Sequence, residues 1–227
     1  MKEGIIVNPK EYRIYFFYEK EGKTYVKTYP IGIGREGYAT PRGEYHVMFK
    51  IKDPVWKPPD HIRAEKPELP ALVPPGPDNP LGGYWIQFAN SYGMHGTLKP
   101  PGVGRRVSSG SMRLYTEDAA DLFQIVKPGN IVKIVDMPVK LAVLNDKIYI
   151  ELHYVNTTDN TAIDHEDEDE EGSEAKDDEK RYSDSEMMDM VMTKVREKNL
   201  EEYVSREKIS AAIKERTGLP TLISDTQ

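Results

Sequence analysis

The 227-residue chain contains no cysteine. This excludes a disulfide framework, a thiolate metal site and a thiol nucleophile. No run of about 18 apolar residues occurs, so no helix that spans a membrane is expected. The opening MKEGIIVNPK lacks the apolar centre of a secretory signal. A basic stripe studded with aromatics is missing as well, which with a pI near 5.4 argues against a nucleic-acid partner. The net charge of -7 is unevenly spread. Residues 1–155 carry 21 Lys and Arg against 17 Asp and Glu, whereas 156–227 carry 10 against 21. The mildly basic first part suits an acidic ligand or wall polymer.

Strand signals fill the stretch from Gly4 to Val155. GIIVN, YRIYFFY, KTYVKTYPI, GEYHVMFK, YWIQF, IVKIVD, KLAVLN and KIYIELHY are short, rich in β-branched and aromatic residues, and bounded by turn formers. Tyr12, Ile14, Phe16 and Tyr18 alternate onto one face. Asn145-Asp146 tolerates the left-handed conformation that a tight hairpin needs. One helix is expected, capped by Thr116, with Glu117 and Asp118 at its positive end, an apolar stripe of Ala119, Leu122, Phe123 and Val126, and a stop at Pro128-Gly129. The Pro-rich stretch from Lys52 to Gly83 is too long for a plain connection and reads as an ordered flap packed through Trp56, Ile62, Leu69, Leu72 and Val73.

Asp164 to Asp189 holds 14 acidic residues against three basic ones. It reads as a solvated linker, since its spacing lacks the pattern of a calcium-binding loop. Beyond it, Ser183 and Glu186 form a capping-box pattern. Met188, Val191, Met192 and Val195, then Ile209, Ala212 and Ile213, mark two amphipathic helices. The expected organisation is a mainly β domain over 1–155, an acidic linker over 156–182 and a helical segment over 183–227.

Chemistry concentrates in HGTLKPPGVGRRVSSGSMRLY. His95 sits at a strand end, a Ser-Gly-Ser turn follows 16 residues later at Ser111, and Arg113 comes two residues further on. A histidine can act as a base near neutral pH. A glycine before a nucleophile lets neighbouring N–H groups converge on an oxyanion, and an arginine can hold a carboxylate. That is an acyl-transfer layout, and a loop of caps and turns is the alternative reading of the same residues. His46, His61, His153 and His165 show no ligand spacing, so no metal and no cofactor are expected.

These residues resemble the signature of the L,D-transpeptidases with a YkuD-type catalytic domain: His-Gly-Thr, about a dozen residues, then Ser-His-Gly-Cys-x-Arg. YPIGIGREGYATPRGEY resembles that family's Gly-Thr-Pro-x-Gly segment, and VPPGPDNPLGGY its substrate-loop approach. The chain also resembles the branch that includes the enzymes attaching an outer-membrane lipoprotein to peptidoglycan. The resemblance implies a β-sandwich-like catalytic domain with one short helix, acting in the periplasm or cell envelope on diaminopimelate-containing tetrapeptide stems. In that reaction a thiolate displaces D-Ala and passes the acyl group to an amine.

It further implies His95 as base, with Gly96 letting the chain pass behind it. Ser111 takes the nucleophile position, and the N–H groups of Gly110 and Ser111 contribute to the oxyanion hole. Arg113, Ser108, Ser109, Gly96, Thr97, Arg105 and Arg106 become substrate-binding candidates. Tyr84 and Trp85 read as core and cleft wall. The chain departs from the pattern twice, with Ser111 where the family has its cysteine and Ser109 where a histidine is common. A serine hydroxyl is almost wholly protonated, whereas a free thiol has a pKa of about 8.5, so activity is expected to be lost or strongly impaired. Two readings of the serine stand: a deliberate substitution, consistent with the absence of the signal or lysin-motif module of many relatives, or a pseudoenzyme that binds stem peptides. A serine hydrolase using Ser111 and His95 is a third.

Overall fold

The computed structural model describes residues 3–153 and 182–225. In chain order these form β1 (Gly4–Asn8), β2 (Arg13–Lys20), β3 (Lys23–Pro30), β4 (Ile33–Gly34), β5 (Gly43–His46), β6 (Phe49–Lys52), α1 (Asp60–Glu65), β7 (Tyr84–Ala89), β8 (Tyr92–Gly96), β9 (Arg106–Ser108), β10 (Met112–Leu114), α2 (Thr116–Ile125), β11 (Ile131–Ile134), β12 (Val139–Leu144), β13 (Lys147–Leu152), α3 (Asp184–Glu197), α4 (Arg206–Glu215) and β14 (Thr221–Leu222). The mainly β character read from the sequence is present. The linker expected at 156–182 falls, Tyr182 apart, outside the described residues.

Two compact units result, one ending at Val135 and the other beginning at Asp136. In the first, a five-stranded sheet has the order β3-β2-β1-β11-β5 and a four-stranded sheet the order β10-β8-β7-β6, with β4 and β9 pairing separately. The alternation in β2 buries Ile14 and Phe16 against Ile5 and Val7 of β1 and against Val132 and Ile134 of β11, which runs parallel to β1. Ile86, Phe88, Met94, Met112 and Leu114 of the second sheet enter the same core. GEYHVMFK reads as one strand but makes two. β5 pairs with β11 in the first sheet and β6 with β7 in the second, with Val47 buried at the crossing.

Helix α2 packs Ala119 and Leu122 into this core, with Val126 just beyond its end and Phe123 at the margin. Thr116 does not cap it. The capping position is Tyr115, which makes no side-chain cap bond, and the Thr116 hydroxyl instead donates to the Thr97 carbonyl at 3.1 Å. At the other end Lys50 Nζ donates to the carbonyls of Phe123 and Val126 at 2.6 and 2.8 Å. A cation thus closes the negative end of the helix.

The Pro-rich stretch contains α1, an element absent from the sequence reading. Trp56 and Val73 exchange backbone bonds, and Val73 is buried, but Leu72 is 56% exposed. Asn79, fully buried, donates to the Pro54 carbonyl at 2.8 Å. The flap is thus braced as much by backbone and amide bonds as by its apolar residues.

The second unit unites the hairpin β12–β13 with α3, α4 and β14. Asn145 and Asp146 both have positive φ, as the tight turn requires. Ser183 and Glu186 make both bonds of the capping box. On α3 the buried set is Met187, Val191, Met192 and Val195, so three of the four residues read from the sequence line the core, and Met187 takes the place expected for Met188, which is only partly covered. Ile209, Ala212 and Ile213 are buried on α4. Val139, Ile148, Ile150 and Leu152 of the hairpin complete this core, and β14 pairs with β13. The hairpin therefore groups with the C-terminal helices, and the chain divides at Val135/Asp136 rather than at 155.

Candidate active site

Three neighbouring strands lay out the site by register. Ile86 of β7, Met94 of β8 and Met112 of β10 stand side by side, and so do Trp85, His95 and Arg113. Residues one position apart on a strand point to opposite faces. The first row is fully buried in the core, so the second row lies on the other face. Ser111, two residues before Arg113, lies level with Gly93, whose N–H donates to its Oγ at 3.2 Å. His95, Ser111 and Arg113 are therefore brought together by strand pairing.

His95 is 5% exposed, and its Nδ1 lies 2.6 Å from the Gly96 carbonyl. Burial, and then the nearby Arg113 charge, push the imidazole down to about 4 against the opposing pull of that carbonyl. The ring is neutral at pH 7. A carbonyl only accepts, so Nδ1 carries the hydrogen and Nε2 the lone pair, the form a general base requires. Trp85 stacks on the imidazole, with ring centroids 5.8 Å apart and planes 28° apart. Its indole lies so close over Gly93 that a Cβ there would stand 2.5 Å from it. Only glycine fits beneath the ring.

The turn from Ser108 to Ser111 is closed by one hydroxyl. Ser108 Oγ donates to the Ser111 carbonyl at 2.5 Å and accepts from the Gly110 N–H at 3.1 Å. Of the two N–H groups expected at an oxyanion hole, that of Gly110 is thus engaged inside the turn. Gly110 has φ 104°, and a Cβ on it would come within 2.5 Å of the Tyr92 ring. Ser109 is half-buried in the same turn.

The remaining candidates divide by role. Gly96 contributes the carbonyl that orients His95. Thr97, buried, accepts from the Lys99 N–H at 3.0 Å and begins the loop that leads to Arg105. The Arg105 carbonyl accepts from Ile33 N–H at 2.9 Å. Arg106 is 6% exposed and pairs with Ile33 through β9, so it belongs to the wall. Arg113 exchanges both backbone bonds with Gly32, and its guanidinium lies against Gly102.

Sequence reasoning did not single out Gly93 or Thr40. Thr40 donates to the Gly110 carbonyl at 2.6 Å from 70 residues away. The one available signal was the Ala39-Thr40-Pro41-Arg42-Gly43 segment, noted as a motif without a role for its threonine. The same strip bears Arg35, which pairs with Glu65 of α1 at 2.8 Å, and Tyr38, whose ring lies 5.1 Å from that of His61. These contacts join the flap helix to the site wall.

Residues 2–134 match the model of a family described as the L,D-transpeptidase catalytic domain, YkuD. Among curated proteins, the chain is 42% identical over 159 residues to "Probable L,D-transpeptidase ErfK/SrfK" of Salmonella typhimurium, covering 67% of this chain and 51% of that protein. It is 41% identical over 157 residues to "Probable L,D-transpeptidase YbiS" of Escherichia coli, covering 66% and 51%. The chain thus spans about half the length of these relatives. Among solved structures, a cysteine-to-serine mutant of the Enterococcus faecium L,D-transpeptidase is similar at 21% identity and a TM-score of 0.46, over 60% of this chain and 50% of that one.

Proposed function

The chain belongs to the YkuD family of L,D-transpeptidase catalytic domains, and from that premise we propose that its site is built for acyl transfer on peptidoglycan stem peptides, with Ser111 at the nucleophile position and activity correspondingly impaired. The observation that carries this reading is the neutral, buried His95, oriented by the Gly96 carbonyl and sharing a sheet face with Ser111 and Arg113.

In the reaction the nucleophile's heteroatom bonds to the carbonyl carbon between diaminopimelate and D-Ala. Its proton passes to His95 Nε2, the bond to the D-Ala nitrogen breaks, and that amine leaves with the proton. An acceptor amine then attacks the acyl-enzyme and regenerates the nucleophile. An outer-membrane lipoprotein or a second stem peptide supplies such an amine, and the periplasm or cell envelope is where these substrates meet. The half-buried Arg105 and Arg113 provide positive charge for the stem's carboxylates.

Serine weakens the first step. Its hydroxyl stays protonated until the base removes the proton in the transition state, and it is less nucleophilic than a thiolate. A site shaped for sulfur also holds the smaller oxygen short of its target, and a misplacement of about 1 Å can cost about 100-fold. The weaker nucleophile favours, as a second reading, a domain that binds stem peptides without turning them over.

Intact-mass spectrometry of the chain and of its Ser111→Cys variant tests both readings, using meropenem and, separately, a diaminopimelate-containing tetrapeptide. The acyl-transfer frame expects only the variant to gain the drug's mass and to release D-Ala. If both proteins stay unmodified while the tetrapeptide binds, the enzymatic reading fails and the binding one stands.

A further inference from the structure

We infer that Thr40 is a positioning residue of the acyl-transfer turn: its hydroxyl fixes and polarises the Gly110–Ser111 peptide, so that the Ser111 N–H is held as donor to the developing oxyanion. This inference rests on the acyl-transfer reading above and adds a residue to it.

Thr40 is 8% exposed, and its Oγ1 donates to the Gly110 carbonyl at 2.6 Å. That carbonyl and the Ser111 N–H belong to one peptide unit. No cis bond occurs among the described residues, so the two groups point in opposite directions from a rigid plane. Holding the oxygen therefore sets the direction of the N–H. A hydrogen bond accepted by the carbonyl also increases the polarity of the amide, a cooperative effect that matters most where water is excluded. The Gly110 N–H is already given to Ser108, which makes the Ser111 N–H the donor of this turn that substrate would use.

The backbone is shaped to permit the contact. A Cβ on Gly34 would stand 1.8 Å from the Tyr38 carbonyl oxygen and 3.1 Å from Gly110 Cα. A Cβ on Gly110 would stand 3.3 Å from the same Tyr38 oxygen. The two glycines thus allow the strip from Gly34 to Thr40 to lie directly against the turn, and the Arg35 N–H fastens it by donating to the Ser108 carbonyl at 2.7 Å. Thr40 contributes the side-chain bond at the far end of that strip. When the nucleophile bonds to the substrate carbon, the carbonyl oxygen takes up negative charge, and the Ser111 N–H stabilises it until the bond to the D-Ala nitrogen breaks. Thr40 touches no reacting atom. It acts through the peptide it holds.

The test uses the full chain carrying Ser111→Cys, with Thr40→Val or Thr40→Ser added. Acylation by meropenem is followed by mass over a range of drug concentrations, which separates the maximal rate from half-saturation. Loss of an oxyanion donor costs about 100- to 1,000-fold, so loss of its positioning bond is expected to slow the maximal rate by about 10- to 100-fold. Half-saturation stays within about twofold, and Thr40→Ser restores the rate. An unchanged rate in Thr40→Val overturns the inference and leaves the acyl-transfer reading intact. A Thr40→Ser variant as slow as Thr40→Val also overturns it, because packing rather than the hydroxyl is then responsible. Ser111→Cys inert without any change at Thr40 removes the reading itself. If far-UV circular dichroism shows Thr40→Val unfolded, Thr40→Ala carries the same comparison.

Discussion

A buried imidazole that stays neutral has a thermodynamic signature. Folding lowers His95 from its ordinary value near 6.5 to about 4. Between those values the unfolded chain binds a proton that the folded chain does not. The stability this group confers is therefore complete above about pH 6.5 and is lost as pH falls towards 4. At 1.36 kcal/mol per unit the total is about 3 kcal/mol. Urea unfolding from pH 7 to pH 4 should show His95→Gln losing less stability than the parent over this window, and parallel curves would refute the assignment. His95, Ser111 and Arg113 were legible in the sequence because one short motif carries them. Thr40 and the Trp85 stack were not, since a hydroxyl that reaches across 70 residues and a ring lying over Gly93 leave no local pattern.

Elements are governed as much by their ends as by their faces. The stripe of α2 was readable from its spacing, but the device at its C-terminus belongs to β6. Lys50 gives two charged hydrogen bonds to the last turn and lies 4.6 Å from the centroid of the Phe123 ring. Lys50→Met keeps the length and the ring contact while removing the charge. It is expected to cost about 2 kcal/mol, since hydrogen bonds to charged groups contribute about 1.5–3 kcal/mol. Guanidinium denaturation checks this, and a loss below about 0.5 kcal/mol would show the cation to be solvated instead. The hairpin turn and the capping box were legible for the opposite reason, as their bonds close within a few residues. Strands β4, β9, β10 and β14 span two or three residues each, too few to display an alternation. The passage of GEYHVMFK from one sheet to the other depends on partners distant in sequence.

On the scale of the whole molecule there are two cores, and they can be addressed separately. Both tryptophans, Trp56 and Trp85, lie in the first unit, whereas α3 and α4 lie in the second. Met187 is fully buried among the second unit's side chains, so Met187→Ala is expected to destabilise that core by about 2–5 kcal/mol. Thermal melts should show an earlier loss of the 222-nm helix signal with the tryptophan transition in place. A matching shift of both signals would mean that the units unfold as one. The sequence reading placed the hairpin with the first unit because strands follow strands there. Its buried face is instead matched by helices that come later in the chain.

That pairing has a consequence for synthesis. The ribosome delivers Val139, Ile148, Ile150 and Leu152 well before the apolar faces of α3 and α4 that cover them. At about 5–20 residues per second, the growing chain carries an apolar hairpin face without its cover for roughly 3–12 seconds. Exposed apolar surface of this kind is what makes a partly folded chain prone to aggregate, so the interval before α3 and α4 emerge is the vulnerable one for this hairpin.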